Sequence, residues 1–155
     1  MHTLFLTYVV EKGVVFMITI NQLREISMRY IDSQSIALIY MLKVLDEVMT
    51  VDNEILVYPK NLYCRETDLI LYIFTPNYQL IKLTYDLKEV QLVTKNLRHL
   101  IKSEYKVAEE EHQLILTFAD DEVIPLHPKK DTTLPYIKEF NSQLVLICRY
   151  LQEQS

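Results

Sequence analysis

The chain has 155 residues, half of them hydrophobic, a formal net charge of −5 and a single glycine. A domain of this length buries about 70% of the surface its unfolded chain exposes, so a packed core is expected and disorder is not. One glycine cannot write a GxGxxG turn or a Walker loop, and the acidic balance disfavours nucleic acid and anionic membranes, which call for a basic face.

Cys64 and Cys148 are too few for a disulfide framework and fit a reducing cytoplasm. The longest apolar run, residues 35–42, is too short to cross a bilayer and is followed by Lys43, Asp46 and Glu47, so no transmembrane segment is expected. The first stretch lacks a basic n-region and carries Glu11 and Lys12, which speaks against a secretory signal.

From the N-terminus, residues 4–10 read as a strand, Gly13 as a turn and residues 14–19 as a second strand. Codons for Lys12-Gly13-Val14 can form a purine-rich run like a bacterial ribosome-binding site just ahead of Met17. Residues 1–16 are therefore expected to be an extension upstream of a native start at Met17. Thr19-Ile20-Asn21-Gln22 fits a capping box, with Ile20, Leu23, Ile26 and Tyr30 at helical spacing, and predicts a helix to about residue 31. Asp32-Ser33-Gln34-Ser35 supplies N-cap residues for a second helix to about residue 49, so residues 17–51 form a helical hairpin. On this second helix the face marked by Lys43, Glu47 and Thr50 runs back to Ile36, Ile39 and Tyr40. Either the first helix or the sheet covers those three side chains, or they form a subunit or partner contact.

From residue 52 the period becomes that of strands. Residues 54–58 and 62–64 make the first, with Pro59 as a bend or an edge position. Residues 68–75, 78–85, 87–94, 103–108, 112–118 and 122–126 make six more, with a tight turn at Pro76-Asn77. Acidic tips at residues 109–111 and 120–121 lie at opposite ends of strand 112–118, about 20–25 Å apart at ~3.3 Å per residue, and cannot form one carboxylate site. Residues 132–154 read as one amphipathic helix, with Leu134, Ile137, Phe140, Leu144, Ile147 and Leu151 on a stripe that needs a sheet to cover. Asp131 or Thr132 caps it, and Pro135 sits in its first turn.

Seven strands followed by one helix is an order that resembles the pleckstrin-homology-like (PH-like) fold, over residues 54–151. Residues 69–90 are similar to its bacterial members: a strand, the Pro76-Asn77 turn, a strand, then Leu87-Lys88-Glu89-Val90. The whole chain also resembles a small uncharacterised bacterial protein family. The resemblance implies an α+β domain over residues 52–155, a partly open seven-stranded antiparallel barrel capped by the C-terminal helix, with the hairpin added in front. Members that bind phosphoinositides carry basic residues on the first, third and sixth turns. Here those turns hold Cys64-Arg65-Glu66, Thr84-Tyr85-Asp86 and Ala119-Asp120-Asp121-Glu122. Arg65 is their one basic residue, with Lys60 nearby, and carboxylates where phosphates would sit argue against lipid head groups. The fold brings no catalytic residues with it.

Among chemistry-bearing residues, no pair of His2, His99, His112 and His127 has the close helical spacing of a zinc site; His112 beside Glu111 reads as a ligand or as surface decoration. Cys64 beside Arg65 reads as a thiol activated by a guanidinium or as a packed strand cysteine, and Cys148, one turn after Leu144, as buried. Lys95, Arg98, His99 and Lys102, with Lys129 and Lys130, are candidates for a basic patch suited to a protein contact. The second helix opens Ser-Ile-Ala-Leu-Ile-Tyr, which offers almost nothing to base edges, so the hairpin is not a DNA-reading motif. The leading expectation is a non-enzymatic cytoplasmic protein-interaction module using Ile36, Ile39 and Tyr40, with homo-oligomerisation through the hairpin as one form of it. The alternative is a small-ligand or peptide binder at the barrel mouth or a sheet edge, and the third reading is a Cys64-dependent enzyme. No catalytic constellation, cofactor or metal is expected.

Overall fold

The computed structural model describes residues 6–10, 13–29, 32–52, 54–65 and 67–154. Strands β1 (Leu6–Val10) and β2 (Gly13–Met17) pair antiparallel with Gly13 opposite Val10, so the glycine opens a strand where a turn was expected. Leu4, Phe5 and Tyr30, which were read into elements, lie outside the described residues. Helix α1 (Ile20–Arg29) starts on the capping box: the Thr19 amide donates to Gln22 Oε1 at 3.0 Å and the Gln22 amide to Thr19 Oγ1 at 3.3 Å. Helix α2 (Ser33–Val48) is capped by Asp32, whose carboxylate accepts from the Ser35 amide at 2.8 Å. Arg24 and Asp46 join the two helices through a bidentate pair at 2.7 and 2.6 Å.

Strands β3 (Leu56–Lys60), β4 (Ile70–Phe74), β5 (Gln79–Tyr85) and β6 (Val90–Asn96) form one antiparallel sheet in that order. Strands β7 (Leu100–Ala108), β8 (Glu111–Phe118) and β9 (Val123–Leu126) form a second. The α+β class and the seven antiparallel strands are as expected, but they lie in sheets of four and three, and no barrel closes among the described residues. The chain leaves β6 through a 3-10 turn at Leu97–His99. Between β3 and β9 the link is a side chain, Lys60 Nζ donating to the Pro125 carbonyl at 2.8 Å. Pro59 in β3 and Pro125 in β9 have no amide hydrogen to offer a ladder there.

Several strand boundaries differ from expectation; β7, for one, begins at Leu100 where residue 103 was expected. Pro59 lies inside edge strand β3 opposite Leu71, and residues 62–64, expected as strand, belong to a loop from residue 61 on in which Asn61 and Tyr63 are left-handed, at φ 75° and 71°. At the other side of the sheet the Asp86 carboxylate accepts from the Lys88 and Glu89 amides at 2.8 and 3.0 Å, a turn that holds residues 87–89 out of β6.

Cross-strand partners share a face, so the register sorts the four-stranded sheet. Tyr58 stands opposite Tyr72, and Phe74 opposite Leu80. This face meets helix α4 (Ile137–Gln154): Phe140 packs edge-on to Tyr58 at 5.4 Å, and Tyr150 to Phe74 at 5.9 Å. Val57, Ile73 and Ile81, with Leu71 and Leu83, take the other face, toward α2, which lies against β5 and β6. The sheet is covered on both sides, which is why β4 reads as an unbroken apolar run.

The C-terminal stretch is not one helix. A short α3 (Pro128–Asp131) and a 3-10 turn, Leu134–Tyr136, precede α4. Leu134 is 83% exposed and off the stripe, whereas Phe140, Leu144, Ile147 and Leu151 are buried against the sheets, each contributing about 1.5–3 kcal/mol. Asp131 caps nothing on α4 because its carboxylate is used inside the molecule. It accepts from the Tyr58 hydroxyl at 2.8 Å, Lys60 Nζ at 2.7 Å and the His127 amide at 2.7 Å. Helix α4 lies against both β3 and β8 and so bridges the two sheets.

Candidate functional site

A groove of about 910 Å³ opens where the N-terminal end of α2 meets the loop after β3 and the turn after β5. Asp32, Ser33, Gln34, Ile36 and Ala37 line it from the helix. Tyr63, Cys64, Arg65, Thr67, Asp68 and Leu69 line it from the loop, and Tyr85, Asp86 and Leu87 from the turn. Ile36 is 41% exposed, Ile39 47% and Tyr40 46%, so the predicted stripe is about half open to solvent. Tyr40 is stacked on Tyr85 at 5.2 Å with the rings 12° apart, which ties the stripe to the wall of the groove. Leu87, held at the tip of the Asp86 turn, is 93% exposed.

Gln34 fixes the loop to the helix. Its Oε1 accepts from the Tyr63 amide at 2.7 Å, and its Nε2 donates to the Asn61 carbonyl at 2.7 Å and the Cys64 carbonyl at 3.3 Å. These bonds hold two left-handed non-glycine residues in place, a conformation that persists only where neighbours over-determine it. Read along the sequence, Gln34 is one of four polar residues in a cap, and nothing there signals a partner some thirty positions away. Residues 25–142 match a family described as a protein of unknown function, DUF3908. The chain belongs to the DUF3908 family. The matched span starts within α1 and ends within α4, so it takes in α2 and all strands of both larger sheets. No curated protein and no solved structure matches the chain.

In this DUF3908 chain the Cys64 thiol is pushed up from its ordinary value by burial, which outweighs the lowering from a Thr67 hydrogen bond, while the Asp131 charge adds to the rise and Lys60 opposes it. Of the two readings of Cys64 this favours the packed cysteine, and Arg65, which is exposed, does not contribute to the shift. Cys148 is half-buried on α4, its thiol pushed up to about 11 by burial. His112 Nδ1 meets the Tyr105 hydroxyl at 2.5 Å, while Glu111 pairs with His127 Nε2 at 2.7 Å instead of with its neighbour. Among the described residues no group of three or more His, Cys, Asp or Glu is placed to hold a metal. His2 lies outside the described residues.

Three of the six members of the expected basic patch are taken by carboxylates. Lys95 bonds Asp120 at 2.7 Å and Glu122 at 2.6 Å above the Phe118 ring, Lys102 bonds Glu104 at 2.5 Å, and Lys129 lies 3.8 Å from Glu111. The same contacts place the sixth turn. Lys95 lies at the Gln79 end of the β5–β6 pair, and the third turn joins the other end, after Tyr85. The first and third turns therefore share the groove, and the sixth is drawn away from it.

Proposed function

We propose that this DUF3908 protein is a non-enzymatic, cytoplasmic protein-interaction module on a PH-like scaffold, and that its groove takes a partner segment with an apolar anchor and basic flanks. Four strands, three strands and a helix across both sheets support the PH-like reading. The observation that carries the binding reading is Leu87, 93% exposed on one wall, in the same groove as the half-exposed Ile36 of α2. Such a side chain held at a fixed turn is an anchor without a socket, and exposed apolar surface of this kind marks contact sites. Asp32, Asp68 and Asp86 line the groove against Arg65 alone, which favours a cationic partner and disfavours phosphate head groups. The raised Cys64 thiol weighs against the enzyme reading.

Affinity capture from the native host with wild-type protein and with Leu87→Asp tests this. A protein retained by the wild type, released by high salt and lost from Leu87→Asp is the expected result. The same set of proteins on both baits removes the proposal, and since Leu87 is exposed the variant keeps its fold.

A further inference from the structure

We infer that the outer edge of β7 is a docking strand for a second copy of this chain, paired antiparallel about a two-fold axis at Tyr105, so that two three-stranded sheets join as one of six. This surface lies on the second sheet and stands independently of the groove.

The edges of the two sheets are not alike. β3 carries Pro59, and the Val57 carbonyl on its outer side is taken by Gln143 Nε2 at 2.7 Å. β9 carries Pro125. β6 has no proline and is bonded only to β5, but α2 lies against it. β7 has no proline either, is bonded only to β8 and at nine residues is the longest of the four edges. Its register with β8 puts Ser103, Tyr105 and Val107 on the side of the buried Leu114 and Leu116, yet Tyr105 is 39% exposed and Val107 54% exposed. Apolar groups on the inner side of a sheet stay this open because, among the described residues, no strand pairs beyond this edge to cover them.

Lysine on an edge strand ordinarily discourages pairing through like-charge repulsion. β7 carries both signs on its outer face, Lys102, Glu104 and Lys106, and this order is self-complementary. With the axis at Tyr105, Glu104 faces Lys106 of the second copy and Lys106 faces Glu104 of the second copy. Ser103 meets Val107 of the second copy, and the two Tyr105 rings meet at the centre. Directly opposed unlike charges stabilise an antiparallel pair, and a two-fold interface repeats each contact twice. Within one chain Glu104 already gathers Lys102 at 2.5 Å and Lys106 at 3.6 Å, so pairing exchanges the weaker contact for Lys106 of the second copy, while Lys102, opposite Ala108 of that copy, stays at the exposed end beside Glu104. The irregular register between Leu100 and Lys102 falls outside the paired stretch.

Sedimentation equilibrium on the full chain separates the outcomes. Wild type is expected to dimerise, Glu104→Lys and Lys106→Glu each to be monomeric, and an equimolar mixture of the two single variants to recover a heterodimer, because each then supplies the charge the other needs. The double variant also dimerises. Amide exchange on wild-type protein adds a readout free of substitutions: residues 103–107 become more protected as concentration rises. A monomeric wild type, a mixture that fails to pair, or loss of pairing with Glu104→Lys but not with Lys106→Glu, which marks an axis at Ser103, overturns the inference. Leu87→Asp leaves the dimer intact, so failure here and failure of the groove reading are told apart.

Discussion

Gln143 and Ile18 are bonded to each other twice: the Ile18 amide donates to Gln143 Oε1 at 3.0 Å, and Gln143 Nε2 donates to the Ile18 carbonyl at 3.2 Å. The same Nε2 donates to the Val57 carbonyl at 2.7 Å, so one fully buried amide on α4 links the segment after β2 to the edge of β3. Gln143→Leu keeps the volume but leaves the Ile18 and Val57 groups without partners. Each buried orphan costs about 1–3 kcal/mol, so with three of them the variant is expected to lose at least about 3 kcal/mol in urea unfolding. A loss below about 0.5 kcal/mol, the range of ordinary surface changes, would mean that water replaces the amide.

Asp131 does comparable work at the other end of β3. Its side chain is 2% exposed and accepts from Tyr58, Lys60 and His127 while its carbonyl accepts from the Asn61 amide at 2.6 Å. Asp131→Ala strips three donors and leaves a largely buried ammonium unpaired, a loss of about 3–5 kcal/mol. Lys60→Met combined with Asp131→Leu removes both charges together and is expected to recover much of that loss. A thermal-melt double-mutant cycle checks it, and additive losses would deny the coupling.

These two tethers show where the sequence stops being readable. Capping at Thr19 and Asp32, the seven strands and the apolar stripe of α4 follow from local pattern, because propensity and period are properties of neighbours. Gln143 and Asp131 find their side-chain partners 125 and 71 residues away, across folded distance that no window of sequence contains. The split into two sheets is hidden in the same way, since Pro59 and Pro125 can be seen in the chain but the bond from Lys60 to the Pro125 carbonyl, 65 residues on, cannot. At the candidate site the stripe Ile36, Ile39 and Tyr40 was legible as a face. Leu87 was read as strand because it is apolar and stands beside a strand, while the Asp86 turn that holds it out is a side-chain-to-backbone device with no periodic signal.

The boundary of the last helix carries its own test. Leu134 and Phe140 stand on the same sequence stripe, yet one is 83% exposed and the other is fully buried against Tyr58. Phe140→Ala opens a cavity under both sheets and is expected to cost about 3–5 kcal/mol, whereas Leu134→Ala changes stability by less than about 0.5 kcal/mol. Chemical denaturation of both variants decides it. Comparable losses would place residues 134–136 in the long helix after all.

Three tyrosines set an alkaline limit. Burial first, then the Asp131 charge and hydrogen bond, pushes the Tyr58 phenol well above its ordinary value of 10.0. Burial, with Glu122 and Asp131, pushes Tyr72 up to about 12, and Tyr150, whose hydroxyl donates to the Thr75 carbonyl at 2.5 Å, is raised mainly by burial as well. A phenol whose folded value lies above its unfolded one keeps its proton longer in the native state. Its stabilisation is therefore complete below pH about 10 and declines as pH rises through the folded value, because the unfolded chain ionises first. The melting temperature is expected to be insensitive to these groups up to pH about 10 and to fall steeply by pH about 12. In Tyr58→Phe the fall is shallower, since one of the three groups no longer ionises on unfolding. A wild type and variant with the same alkaline slope would show that Tyr58 reaches solvent in the folded protein.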